Sequence, residues 1–294
     1  MLNKLKRVWE LPPKETLRKL KRILAGKGGT IDMEEIANSP RLMRSQRFYD
    51  FFSRYEAILA RTCNWQPMDF HGKRVLEIGC GPQMGFGPLA IWRGAESYSA
   101  MEPEYDPIIL ETPAIVDSYF LNVYKDLSGI YGWEKPFKEF MDDLRARTNI
   151  VPDRLIGTTL KGPFDIVLSN SCLEHIFDFG KSMKALYDIC APDARYLHLA
   201  DFSNHRGTRN PFDDLYTGHP DEYLKQHKDA INLLRPPDIL HAMKAAGFDA
   251  ALSPYAPSPE FFSGSIHRYW SDLYTEDDLF LQTAIFHNNA AGRK

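Results

Sequence analysis

The segment Val75-Leu76-Glu77-Ile78-Gly79-Cys80-Gly81-Pro82-Gln83-Met84-Gly85 constrains the fold more than any other stretch of the chain. Val75, Leu76 and Ile78 form a short apolar run behind the charged pair Lys73-Arg74, and the glycines that follow permit a sharp turn. This reads as a buried strand feeding a helix, the opening unit of a doubly wound α/β sheet, in which ligands bind beyond the C-terminal ends of the strands. The turn also restricts the ligand. A dinucleotide cradle reads G-x-G-x-x-G, whereas this turn reads Gly79-x-Gly81-x-x-x-Gly85 with Pro82 and Gln83 inside it. Glu77 would repel a pyrophosphate and could instead hold a cationic amine.

A second acid agrees with the first. Glu102 closes the next strand-like run, Ser97-Tyr98-Ser99-Ala100-Met101, about twenty residues on, where doubly wound folds place a carboxylate for ribose hydroxyls. A nucleoside with an amine and no phosphate fits both acids, and S-adenosylmethionine is such a molecule. At this point the chain resembles the class I S-adenosylmethionine-dependent methyltransferases over roughly residues 70 to 255. Glu77-Ile78-Gly79-Cys80-Gly81-Pro82 looks like their first motif and Glu102 like their ribose-binding acid. Phe164-Asp165-Ile166-Val167-Leu168-Ser169-Asn170-Ser171-Cys172-Leu173-Glu174-His175-Ile176 looks like their fourth-strand motif with its Leu-Glu-His tail.

The resemblance implies S-adenosyl-L-methionine as the cofactor and a seven-stranded, mostly parallel, doubly wound sheet with an antiparallel last strand. It also implies that Glu77 and the turn Gly79, Cys80, Gly81 and Pro82 hold the methionine moiety, Glu102 the ribose, and that Asn170 with Ser171 line the pocket beyond the fourth strand. The third-strand candidate, Arg154-Leu155-Ile156-Gly157-Thr158-Thr159, ends without an acid, so no adenine partner is assigned.

Composition bounds the remaining possibilities. With 294 residues, 44% of them hydrophobic, the chain can bury one large core with additions. No apolar run approaches the roughly 20 residues needed to span a bilayer, and the N-terminus is too charged for a secretory signal, so a cytoplasmic protein is expected. Cys63, Cys80, Cys172 and Cys190 are scattered, with no CxxC pair and no histidines at zinc spacing, so no metal site is expected. Cys172 reads as a small buried residue rather than a nucleophile.

Charge is unevenly spread. Residues 1–27 hold nine lysines and arginines against Glu10 and Glu15, a net of +7, which leaves −10 for the rest of a chain whose formal charge is −3. An acidic body argues against a nucleic-acid acceptor. So does Ser169-Asn170-Ser171-Cys172, which lacks the Pro-Pro-aromatic run of exocyclic-amine nucleic-acid methylases and the Pro-Cys pair of cytosine carbon methylases. The basic arm places Leu2, Leu5, Trp9, Leu17, Leu20 and Leu24 at helical spacing. It could pack on its own domain, lie peripherally on the inner membrane surface or dock a protein partner.

The organisation expected is a helical extension over 1–70 and a methyltransferase domain over 71–294 with insertions at about 107–147 and 202–235. Both insertions follow strand ends and are expected to form the acceptor lid. In the extension, a helix from about Pro40 to Thr62 presents Phe48, Tyr49, Phe52, Tyr55 and Leu59, with Tyr49 the residue expected to reach the cofactor if the helix covers it. Further on come a helix Pro237 to Ala246 stopped by Gly247, a strand from Asp249 to Leu252, and a final strand over Asp278 to Phe286.

Methyl transfer is an in-line displacement at carbon, so the protein must bring a nucleophile to about 3 Å from the methyl, and a hydroxyl acceptor must also lose a proton. Candidate bases belong past the fourth and fifth strands. For His175 an acid–base role and a cofactor-side or structural role are both open. His198, inside the fifth strand between Leu197 and Leu199, reads as a core histidine. Asp201-Phe202-Ser203-Asn204-His205 sets a carboxylate and an imidazole past the fifth strand. The pair resembles the Asp-x-x-x-His stretch of methyltransferases in surface-glycan and natural-product pathways, which implies His205 as base with Asp201 orienting it or binding the acceptor. Arg206 and Arg209 could meet an anionic acceptor. The expected activity is O-methylation of a small-molecule or glycan acceptor; the alternative is a cofactor-binding scaffold or regulator docking through its basic arm, and an NAD-dependent oxidoreductase is disfavoured by the glycine spacing and Glu77.

Overall fold

The structure, a computed structural model, describes residues 33–132, 135–205, 210–227, 231–258, 262 and 264–288. The basic arm 1–27 and Arg206 and Arg209 lie outside the described residues. The described residues open with helices α1 (Met33–Ala37) and α2 (Arg47–Thr62), then strand β1 (Arg74–Ile78), α3 (Gly87–Trp92) and β2 (Ser97–Met101). A 3-10 turn Pro107–Leu110, a helical turn Pro113–Ile115, a π-helical segment Val116–Phe120, α4 (Leu121–Tyr131) and α5 (Phe137–Arg147) lead to β3 (Thr148–Val151) and β4 (Phe164–Asn170). After the 3-10 turn Leu173–His175 come α6 (Phe179–Asp188), β5 (Cys190–Asp201), α7 (Pro220–His227), α8 (Pro236–Ala246), β6 (Ala250–Pro257), α9 (Arg268–Leu273), α10 (Glu276–Leu279) and β7 (Leu281–Asn288).

The strands form one seven-stranded sheet in the order β3-β2-β1-β4-β5-β7-β6. The first five run parallel, and β7 enters antiparallel between β5 and β6, the expected arrangement. Because the chain winds outward from β1 in one direction and returns to β4 in the other, the ends of β1 and β4 diverge into the crevice where such sheets bind ligands.

Pleat alternation in β1 divides the core. Val75 packs with α2, α3, α4 and α5, in a cluster that contains Phe52, Phe86, Trp92, Phe120 and Phe140. Leu76 and Ile78 pack on the other face with Met183, Leu186, Ile239 and Met243 of α6 and α8. A third cluster, with Phe212, Tyr216, Tyr223, Trp270 and Phe280, joins the segment after β5 to the one before β7.

Several boundaries differ from the sequence expectation, among them the end of β6, which runs to Pro257 rather than Leu252. The third strand is Thr148–Val151, directly continuous with α5, and not the segment 154–159. That segment is a loop because Asp153 gathers it, accepting hydrogen bonds from Thr159 N at 2.7 Å and Thr159 Oγ1 at 2.6 Å. The segment 107–147 is therefore the crossover from β2 to β3. The last strand starts at Leu281, since Thr275 and Asp278 cap each other's backbone amides and hold 276–279 as helix. The helix expected from Pro40 begins at Arg47. By contrast, α8 spans Pro236–Ala246 and stops at Gly247 with φ of +114°, as its proline start and glycine stop dictate. No helix among the described residues is long and apolar enough to cross a membrane.

Candidate functional site

The glycine turn after β1 is shaped by three left-handed glycines, Gly79, Gly81 and Gly85, at φ of +72°, +66° and +47°. They do different jobs. A β-carbon on Gly79 would stand 2.6 Å from Cys172 Sγ, and one on Gly85 would stand 2.2 Å from Glu77 Oε1, so both positions are closed by packing. A β-carbon on Gly81 would meet nothing within 4 Å, so its backbone faces open space, as a ligand cradle requires. The three-residue gap between Gly81 and Gly85 is what lets the turn fold back over Glu77.

Glu77 is fully buried beneath that turn. Its Oε2 accepts hydrogen bonds from Phe86 N at 2.8 Å and Tyr98 Oη at 2.6 Å, while Oε1 has no hydrogen-bond partner. Burial pushes its carboxyl up to about 8 against the pull of those two donors. The side chain thus organises the turn from below, a role its strand-end position did not reveal. Glu102, also buried, clamps the turn from the side: Oε2 accepts from Gly81 N at 2.7 Å and Oε1 from Glu104 N at 2.9 Å. Cys80 and Pro82 are buried within the turn, and burial drives the Cys80 thiol well up.

Asn170 ends β4 and Ser171 follows at φ of +52°, with its amide on Leu199 O at 2.9 Å. Asn170 Oδ1 accepts from Tyr55 Oη, so it is Tyr55 of α2, rather than Tyr49, that reaches the sheet's end. Tyr49 stacks edge-on to Tyr131 at 6.2 Å. These residues leave donor and acceptor groups around an open glycine, a set that fits a phosphate-free nucleoside bearing an amine. Asp153 stands two residues past β3, and its Oδ2 is taken up by Thr159 of the following loop.

On the other side of the crevice, the loops after β4 and β5 bring four titratable side chains together. His205 Nε2 stands 3.8 Å from Glu174 Oε1 and 3.8 Å from Asp201 Oδ2, and its ring lies 5.1 Å from that of His175. Glu174 is 3% exposed, neither of its carboxylate oxygens meets hydrogen-bond geometry with a donor, and burial pushes it up to about 8 against the pull of nearby His205. Asp201 is held below its usual range: burial opposes this, but hydrogen bonds from His205 and Ser203 outweigh it. The sequence separates His175 from His205 by thirty residues, so spacing alone did not join them, and Glu174 had drawn notice only as part of a motif. Asn232 fixes the turn that carries Glu174 and His175. Its Nδ2 donates to Leu173 O and Ile176 O, each at 2.9 Å, and its amide to Glu174 O at 2.7 Å.

Two other candidates are structural. His198 is fully buried with Nδ1 2.8 Å from Ser169 Oγ, and burial depresses it to about 3, so it is a neutral core group. Burial raises the Cys172 thiol, which packs against Gly79. That contact also sets the histidine–carboxylate cluster one short turn from the glycine cradle.

A family model described as a methyltransferase domain matches residues 43–252, about seven-tenths of the chain. No curated protein matches the sequence. Among solved structures the chain is similar to a Haemonchus contortus phosphoethanolamine N-methyltransferase in complex with S-adenosyl-L-methionine, at 18% identity and a TM-score of 0.46, covering 89% of this chain and 60% of that one. It is also similar to an S-adenosylmethionine-dependent methyltransferase from Mesorhizobium loti, at 14% identity and a TM-score of 0.44, covering 79% and 94%. A third is an O-methyltransferase family protein from Burkholderia thailandensis, at 13% identity and a TM-score of 0.42, covering 89% and 64%.

Proposed function

The chain belongs to the methyltransferase-domain family, with S-adenosyl-L-methionine as its methyl donor, and from that premise we propose that it O-methylates a small-molecule or glycan hydroxyl. The observation that supports this reading is the convergence, across the Cys172–Gly79 contact, of an open glycine cradle and a histidine–carboxylate cluster. Bound in the cradle, the donor supplies an electrophilic methyl on a sulfonium.

The chain's own residues do the remainder. Gly81 keeps the cradle open, Glu102 fixes its amide and offers a carboxylate toward the ribose position, and Asn170 and Ser171 line the wall with Tyr55 behind them. Glu77 keeps the turn closed from beneath. The acceptor hydroxyl lies against His175, His205 and Asp201. With the donor held there, the methyl would pass in line to the acceptor oxygen, the electron pair of the broken carbon–sulfur bond would go to sulfur, and the His205–Asp201 pair would take up the hydroxyl proton. Segment 202–235 shapes the acceptor side, and the acidic body disfavours nucleic acid there.

Calorimetry with S-adenosylhomocysteine tests the donor side: binding is expected, with Glu102→Ala weakening it at least tenfold. Transfer of a labelled methyl to a panel of phenolic and sugar hydroxyls tests the rest. His205→Ala should lower kcat by about 10²–10⁴-fold with donor affinity unchanged, the span of general-base effects. Full turnover in that variant, or transfer to amines alone, overturns the reading.

A further inference from the structure

We infer that Glu174, His175 and His205 form a binding site for a divalent transition-metal cation on the acceptor side of the crevice. The inference rests on the proposed methyl transfer only for what the cation does, not for whether it binds. Among the described residues this is the one group of three such side chains whose ligand atoms all lie within 4.8 Å of one another.

A trio of ligand residues is common at surfaces without any ion, and Glu174 distinguishes this one. It is a carboxylate buried to all but 3%, with no hydrogen-bond partner on either oxygen, pointed at the Nε2 atom of His205. Burying a carboxyl group without a hydrogen-bond partner is costly, and a bound cation is one way a fold meets that cost. The histidines are by contrast on the exposed side, where an ion can enter.

Backbone geometry favours the same reading. His205 sits at φ of +52°, a left-handed conformation that costs a non-glycine residue about 1 kcal/mol. That turn carries its imidazole back toward Glu174, and Asn204, buried beside it, anchors the loop through Nδ2 bonds to Asn210 O and Asp213 O at 3.2 Å each. Asn232 holds Glu174 and His175 from the opposite side. With metal–ligand bonds of about 2.1 Å, tetrahedral ligands stand about 3.4 Å apart, so closure on an ion needs the two exposed imidazoles to swing in by about 1 Å.

Two imidazoles and one carboxylate suit zinc, cobalt, iron or manganese better than magnesium, which prefers oxygen ligands. Three protein ligands leave a position open. Asp201, 3.8 Å from His205 Nε2, stands beside the set and orients that imidazole. In the proposed reaction the open position takes the acceptor oxygen, whose O–H bond is weakened by coordination. Its proton passes to the Asp201 carboxylate while His205 stays a ligand.

The test needs neither donor nor acceptor. The full chain, freed of metal by chelation, is titrated with Co²⁺ and followed by visible d–d absorption. One equivalent should bind, with Zn²⁺ displacing it and an equal concentration of Mg²⁺ failing to do so. His205→Ala, His175→Ala and Glu174→Gln should each weaken Co²⁺ at least tenfold, while His227→Ala, outside the trio, leaves it unchanged. Folding is read separately by S-adenosylhomocysteine calorimetry, and His175→Ala at the surface serves if Glu174→Gln fails to fold. No band up to millimolar Co²⁺, or a band that survives in both histidine variants, overturns the site. Loss of S-adenosylhomocysteine binding with the Co²⁺ band intact would instead sink the donor reading.

Discussion

At the scale of single residues, three glycines of one turn make three different demands. Gly85→Ala would drive a β-carbon into Glu77 Oε1 at 2.2 Å and hold it at positive φ, so the variant should lose well over 2 kcal/mol by urea denaturation. Gly81→Ala has positive φ but open space above it. It should cost only about 1–2 kcal/mol of stability while weakening S-adenosylhomocysteine binding markedly in calorimetry. Equal effects of the two on stability would show that the turn is not built as described.

Glu77 gives a pH dependence with a definite sign. Its folded carboxyl is raised from 4.5 to about 8, so the folded chain holds a proton the unfolded chain has released. The stability it contributes is fully present below about pH 4.5 and is lost as pH rises through about 8. Glu77→Gln keeps an acceptor for Phe86 N and cannot ionise. It should therefore flatten the fall in stability between about pH 5 and 8, as followed by urea midpoints; an unchanged slope would place the proton elsewhere.

At the scale of elements, α2 is the piece that ties the N-terminal segment to the sheet. Phe52 packs against Phe70 at 5.5 Å and Phe86 at 5.9 Å, and Tyr55 reaches Asn170. Phe52→Ala should cost about 3–5 kcal/mol of thermal or urea stability as a large buried ring is removed. Tyr55→Phe keeps the ring and loses one hydrogen bond, for about 1 kcal/mol, with the larger effect on donor affinity. If donor affinity is untouched, α2 does not cover the donor.

The helical period of α2 and the glycine stop of α8 were legible in the chain because both are local: one needs only i to i+4 spacing, the other only a residue that tolerates positive φ. The third strand was not. Thr148-Asn149-Ile150-Val151 is four residues long and follows a helix without a break, and only pairing with Tyr98 to Met101 makes it a strand. The last strand was shifted by a local signal instead, a Thr275–Asp278 capping box that turned its expected beginning into helix.

At the scale of the whole molecule, every strand of the sheet and both halves of the crevice lie within the described residues from 33 onward. A chain lacking residues 1–27 should therefore bind S-adenosylhomocysteine with the affinity of the full chain. Vesicle flotation with anionic lipid then reports what the +7 arm adds, and a loss of donor binding on truncation would mean that the arm belongs to the site.

What the sequence determined by itself was the strand–acid–glycine unit at Val75 to Gly85 and the second acid at Glu102, while the seven-stranded winding came from the family resemblance those motifs carry. The motifs rest on near-neighbour spacing, which the chain carries in one dimension. The tertiary structure alone decided which acid braces the turn and that Tyr55, not Tyr49, meets Asn170. It also decided that Glu174, His175, Asp201 and His205 share one pocket. Those groups belong to different strand-end loops, and only the parallel pairing of β4 with β5 sets those ends side by side.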